Sequence, residues 1–135
     1  MPKFEISKRD LKSQIPEDAI RAAKEISKIS GVSAVYLFGS YAKGTQRPYS
    51  DVDLCAITDA INNKRRGEIL IQSSKKIETH IMADMPLNIQ FRVFQEGEPL
   101  FINSNEKVLD TRLRVMKAYQ DFRPRLEKYW RRALA

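Results

Sequence analysis

Cysteine, histidine and tryptophan each occur once in this chain, and no long apolar run occurs at all. A single Cys55 cannot form an intrachain disulfide, which excludes a disulfide-stapled scaffold and suits a reducing, cytoplasmic home. No apolar stretch approaches the roughly 18 residues needed to cross a bilayer, so no membrane span is expected. The first residues, Met1-Pro2-Lys3-Phe4-Glu5, lack the apolar segment of a signal peptide. Internal repeats and low-complexity tracts are absent too. Acid is the scarcer charge: 17 Asp and Glu stand against 24 Lys and Arg, a net charge of +7. A basic surface suits nucleotides, nucleic acid or an acidic protein partner. The excess is concentrated from Arg112 onward, where eight basic residues, Arg112 to Arg132, face only Asp121 and Glu127.

What the chain does contain is one stretch around which the rest is organised. Val32 to Phe38 reads as a core strand that stops abruptly at Gly39-Ser40. Gly39 permits a sharp turn, and Ser40 can begin a helix whose N–H groups face an anion. Lys43 adds positive charge. Gly44 to Tyr49 is a loop, and Asp51-Val52-Asp53 leads into a second apolar strand, Val52 to Ile57. Residues two apart on a strand share a face, so Asp51 and Asp53 are expected to project together. Two adjacent carboxylates are costly unless positive charge lies between them. A divalent cation, magnesium with substrate phosphates, answers that need.

The spacing of Gly39-Ser40, ten residues, then Asp51-Val52-Asp53 resembles the signature of the polymerase-beta-type nucleotidyltransferases. Ala42-Lys43-Gly44 and Ser50-Asp51-Val52-Asp53-Leu54 are similar to the minimal members, the MNT-type proteins. The resemblance implies an α/β (α+β) fold, a small mixed sheet flanked by helices. It implies one nucleotidyltransferase domain over residues 1–135, with an N-terminal arm (1–15) and C-terminal helices (104–135). It also implies a third carboxylate on a later strand. Counting back from Arg92-Val93-Phe94-Gln95-Glu96-Gly97 places it at Glu78, where the family usually has Asp. Asp51, Asp53 and Glu78 would then be catalytic and metal-binding. Gly39, Ser40 and Lys43 would bind the nucleotide, with ATP as substrate and two magnesium ions in the site.

The family commonly pairs with a HEPN-type toxin, so the resemblance implies an antitoxin that transfers AMP to a toxin tyrosine. An antitoxin that acts by binding with little catalysis is one alternative. A transferase acting on a small molecule or RNA is another, although the chain lacks a substrate domain and cannot house separate palm, fingers and thumb. Nucleic-acid binding is not the favoured reading, and a second copy of the chain is a further candidate partner.

The remaining segments follow from local pattern. Phe4, Ile6 and Leu11 suggest a short strand or arm. Pro16-Glu17-Asp18 opens a helix whose apolar stripe is Ile20, Ala23 and Ile26, ended by Gly31. Thr58-Asp59 is expected to cap the next helix, which runs to about Lys76 and buries Ile69 and Leu70. Ile77 to Met82 is a strand with Glu78 and His80 on one face, and His80 is not expected to be a ligand. Asp84 to Gln95 carries both patterns, since Leu87, Ile89, Phe91 and Val93 alternate as in a strand while Leu87, Phe91 and Phe94 recur as in a helix; Pro86 and Gly97 favour the helix. Glu98 to Ile102 is a last strand. Asn103-Ser104-Asn105 caps a long helix whose inner side is Val108, Leu109, Leu113, Val115, Met116 and Tyr119. Pro124 is expected to end it near Asp121 or Phe122, before a separate amphipathic helix carrying Leu126, Tyr129, Trp130, Ala133 and Leu134.

Overall fold

The computed structural model describes residues 3–4 and 15–134, with side chains from residue 15 onward. Its elements are β1 (Lys3–Phe4), α1 (Glu17–Ser27), β2 (Val32–Phe38), α2 (Ser40–Lys43), β3 (Val52–Thr58), α3 (Asn63–Leu70), β4 (Ile77–Ile81), α4 (Leu87–Glu96), β5 (Glu98–Ile102) and α5 (Asn105–Leu134). A 3-10 turn, Met82–Asp84, joins β4 to α4. The five strands form one sheet in the order β1-β5-β2-β3-β4. All neighbours are antiparallel except β3 and β4, which run parallel with α3 as their crossover. This is the expected mixed sheet flanked by helices. In the N-terminal arm, Phe4 falls in β1, while Ile6 and Leu11 lie outside the described residues.

Both faces of the sheet are covered, which is why β2 and β3 read as almost unbroken apolar runs. On one face Val35, Leu37, Leu54 and Ala56 meet Ala19, Ala23 and Ile26 of α1 and Ile69 of α3. On the other, Ala34, Tyr36, Cys55 and Ile57 meet Val93 and Phe94 of α4 and Val108 and Val115 of α5. Each large apolar side chain removed from water here contributes about 1.5–3 kcal/mol. Phe91 stacks on Tyr119 with ring centroids 3.9 Å apart, which fastens α4 to α5. Within β3 only Asp53 and Thr58 escape full burial. Asp53 is thus the wet end of an otherwise buried stripe, Asp53-Cys55-Ile57.

Four local expectations are corrected. Thr58 remains in β3 and Asp59 pairs with Lys107, so the cap of α3 is Asn62, whose side chain accepts from the Arg65 N–H at 2.9 Å. That helix ends at Leu70, which is 42% exposed. The next turn ends with the Ser73 hydroxyl bonded to that of buried Thr79 at 2.6 Å. Of the expected inner side of α5, Leu109 and Leu113 point outward, 54% and 59% exposed. α5 also runs unbroken through Pro124. Proline removes one N–H and disturbs the carbonyl four residues back. Here that residue is Gln120, which is exposed, so water can satisfy what the helix loses. Ser104 caps the start of α5 by accepting from the Lys107 N–H.

Candidate active site

Three consecutive strands of the sheet contribute one row of side chains at the same end. Phe38 of β2 is in register with Asp53 of β3, and Asp53 with Glu78 of β4. β2 stops here because Gly39 takes φ 78° and ψ −153°, a conformation open essentially to glycine alone. The missing side chain is what makes room for the carboxylate. A Cβ on Gly39 would stand 2.4 Å from Asp53 Oδ2. The Asp53 carboxylate therefore lies against bare backbone at the mouth of the Gly39-Ser40 turn. α2, which follows, is anchored by buried Tyr41 and Ala42 and closed by Gly44 in the left-handed conformation.

Beside Asp53 stands His80, two residues beyond Glu78 on the same face of β4. Its Nε2 lies 3.6 Å from Asp53 Oδ1 and 3.8 Å from Glu78 Oε1. These are ion-pair contacts rather than hydrogen bonds, and Nε2 is buried without a hydrogen-bond partner. Phe38 holds the imidazole from the other side, edge-on, with ring centroids 5.3 Å apart. The Asp53 carboxylate beside Nε2 raises the imidazole above its ordinary range; partial burial opposes this and Glu78 reinforces it. The charged form is thus favoured by the fold. Its contribution to stability is present below the unfolded-state pKa and is lost as pH rises through the folded one.

Oxygen and nitrogen atoms of Asp53, Glu78 and His80 all come within 4.8 Å of one another. Two carboxylates and an unsatisfied ring nitrogen at that spacing form a donor set that fits a divalent cation. The side chains grade outward, from 24% exposed at Asp53 to 61% at Glu78.

Other anticipated residues are less closely gathered. Asp51 precedes β3, is exposed, and is not a member of the 4.8 Å group. The strand starts at Val52, whose N–H bonds Lys76 O, so Asp51 is the residue immediately before it. Ser40 opens α2 and its carbonyl accepts from Thr45 N–H at 2.9 Å. Lys43 Nζ pairs with Glu96 Oε2 at 3.1 Å. His80 is the member of the group that sequence reasoning set aside. Its shared face with Glu78 was the available signal.

The nucleotidyltransferase-domain family model matches residues 19–115 of the chain. A curated relative from Methanocaldococcus jannaschii, "Putative protein adenylyltransferase MJ1547", is 29% identical over 73 residues, 54% of this chain and 58% of that protein. The match thus spans little more than half of the relative's length. Among solved structures, a chain of a toxin–antitoxin complex with AMP-PNP superposes with a TM-score of 0.69 at 20% identity, covering 86% of this chain and 98% of the other. A chain from a complex of tri-AMPylated Shewanella oneidensis HEPN toxin with MNT antitoxin gives 0.62 at 17% identity, covering 86% and 92%. These structures share the fold. With the family signature spread over most of its length, and Asp53 seated on the Gly39 turn, this chain belongs to the nucleotidyltransferase-domain family.

Proposed function

We propose that this chain transfers AMP from ATP to a hydroxyl acceptor, that the acceptor is a tyrosine of a HEPN-type toxin, and that the transfer makes the chain an antitoxin. One observation carries the reading: the Asp53 carboxylate rests on the bare backbone of Gly39, one strand away from Glu78. That arrangement supports the reading because a glycine turn suited to phosphate and carboxylates suited to a metal lie together. The relatives support the finer part, since they include a protein named as an adenylyltransferase, a toxin–antitoxin complex with AMP-PNP and an AMPylated HEPN toxin.

Asp53 and Glu78, joined by Asp51 as the family resemblance implies, would hold magnesium. When bound, magnesium neutralises phosphate charge and stabilises the attacking and leaving oxygens of an in-line transfer. The N–H groups that open α2, together with Ser40, would orient the β and γ phosphates. Lys43 would add charge by leaving Glu96, an exposed pair whose loss costs less than about 1 kcal/mol. Glu78, the most exposed acid of the group, would accept the proton of the acceptor hydroxyl. The hydroxyl oxygen then bonds to the α phosphorus as the bond to pyrophosphate breaks. Positioning and charge neutralisation supply most of the acceleration in such transfers.

A second reading, neutralisation by binding alone, draws on the position of Asp51 outside the donor group and on Glu78 in place of Asp. Labelled ATP, magnesium and the product of the adjacent reading frame, expected to be a HEPN-type protein, distinguish the two. The expected result is label on the toxin, reduced at least roughly 100-fold by Asp53→Asn. Full neutralisation by the Asp51→Ala/Asp53→Ala double variant, with no label transferred, would establish the binding reading instead.

A further inference from the structure

We propose that His80 is a direct nitrogen ligand of the metal in this site, which makes the site a mixed carboxylate–imidazole one that prefers a divalent transition ion such as manganese to magnesium. The inference rests on the proposed metal-binding role of Asp53 and Glu78 and adds a residue to it. Its basis is the geometry around Nε2. The atom faces both carboxylates at 3.6 and 3.8 Å, too far for hydrogen bonds. Both separations lie within twice a usual metal–donor distance of about 2.1 Å, and with all three donor atoms within 4.8 Å of one another, small side-chain shifts let one ion touch all three. Nε2 is buried and makes no hydrogen bond, only the two longer ion-pair contacts, which ligation would replace with release of the ring proton. Phe38 and the β4 backbone fix the ring, so little side-chain freedom is lost on binding.

The preference follows from ligand chemistry. All-oxygen sites suit magnesium, which gives up its waters reluctantly and gains little from nitrogen. Imidazole raises affinity for first-row transition ions, manganese included, relative to magnesium. His80 is also the one histidine of the chain, so any imidazole nitrogen found on a bound ion is His80.

The test uses the tag-free full-length protein and manganese alone. Pulsed EPR of the bound ion is expected to show coupling to a directly bound nitrogen. His80→Ala should abolish that coupling and weaken manganese binding by about tenfold or more, with a smaller effect on magnesium. Bound manganese without nitrogen coupling in the unmutated protein, or no manganese binding at all, would overturn the proposal, and neither outcome depends on a variant folding. The coupling is measured without nucleotide or acceptor. Nitrogen-coupled manganese in a protein that transfers no label would uphold the ligand and defeat the transferase reading, whereas transfer by a site with no nitrogen coupling would do the reverse.

Discussion

Gly39→Ala is the substitution that most directly tests how the site is built. The backbone at Gly39 has φ 78° and ψ −153°, and forcing a side chain into that region costs on the order of 1–3 kcal/mol. The new Cβ would also meet Asp53 Oδ2 at 2.4 Å and Asp53 Cγ at 3.3 Å. Ordinary contact needs about 3.5 Å, so the carboxylate has to swing away by roughly 1 Å. Because this is the end of a side chain, the swing itself costs only about 0.5–1.5 kcal/mol as an off-rotamer strain. Together the two effects predict a loss near 2–4 kcal/mol. At roughly 3–5 °C per kcal/mol for a domain of this size, the melting temperature should fall by about 6–20 °C. Calorimetry measures this directly. Gly67→Ala is the matched control: that glycine lies inside α3 with open space around a Cβ, so alanine should stabilise by about 0.5–1 kcal/mol. The transfer assay supplies the second readout. With Asp53 displaced from the turn, label transfer per folded molecule should drop about as far as in Asp53→Asn. A Gly39→Ala protein that melts like the unmutated chain and transfers label normally would refute the reasoning. A protein that melts low but transfers normally would show that the seat of Asp53 on Gly39 is not needed for chemistry.

Burial pushes the Cys55 thiol well above the ordinary range, so the native protein should resist alkylating reagents at mildly alkaline pH and react only on unfolding, a single-site readout. Since the folded-state value is the higher one, the thiol supports the fold below its unfolded pKa and that support is lost as pH rises beyond it; Cys55→Ala should soften this alkaline loss in chemical melts. Lys43→Ala should change stability by less than about 1 kcal/mol, because its pair with Glu96 is largely exposed, yet raise KM for ATP severalfold; an unchanged KM would remove Lys43 from the nucleotide site. Phe122→Ser, Leu126→Ser and Tyr129→Ser together should leave the melting temperature nearly unchanged, since these side chains are 42%, 38% and 63% exposed in α5.

The parts of the fold that were legible in the sequence are those fixed by local chemistry. β2, its stop at Gly39 and β3 are readable because a sheet covered on both faces demands unbroken apolar strands and a turn of this shape demands glycine. α4 is readable from Pro86 and Gly97 at its ends. What escaped depends on partners distant in sequence. Nothing near Glu78 says that it sits opposite Asp53; that follows from the β3–β4 register, and at the sequence level it came only through the family resemblance. His80 shares the face of Glu78, but alternation alone does not say whether that face looks toward Asp53 or away. Asp51 stands just before the first residue of β3, so strand alternation alone does not carry it into the group formed by Asp53, Glu78 and His80. Pro124 misled because the local rule gives a cost and not a veto: water can satisfy the carbonyl freed at exposed Gln120, and α5 continues through the proline. Leu109 and Leu113 are apolar without being core, as the packing of α5 decides and composition does not.

The exposure gradient across the site bears on the acceptor. Asp53 is tucked against the Gly39 backbone and Phe38 meets His80 edge-on, so the side proposed for the phosphates is walled by the protein itself. Glu78 stands on β4, the last strand of the sheet, with 61% of its side chain exposed. An enzyme for a small acceptor needs groups of its own to enclose and orient that molecule, because such orientation supplies much of the rate. On the Glu78 side such enclosure is slight, and orientation would have to be supplied by the acceptor. A protein acceptor can do that, because its own folded surface holds the reacting hydroxyl and its contacts elsewhere on the chain fix the approach. The surface for such contacts is at hand: α5 presents Phe122, Tyr129 and Trp130 among Arg123, Arg125 and Arg131, an exposed apolar and basic face suited to an acidic partner. Specificity would then lie in docking rather than in a pocket, and variants on α5 should raise KM for the toxin while leaving KM for ATP unchanged.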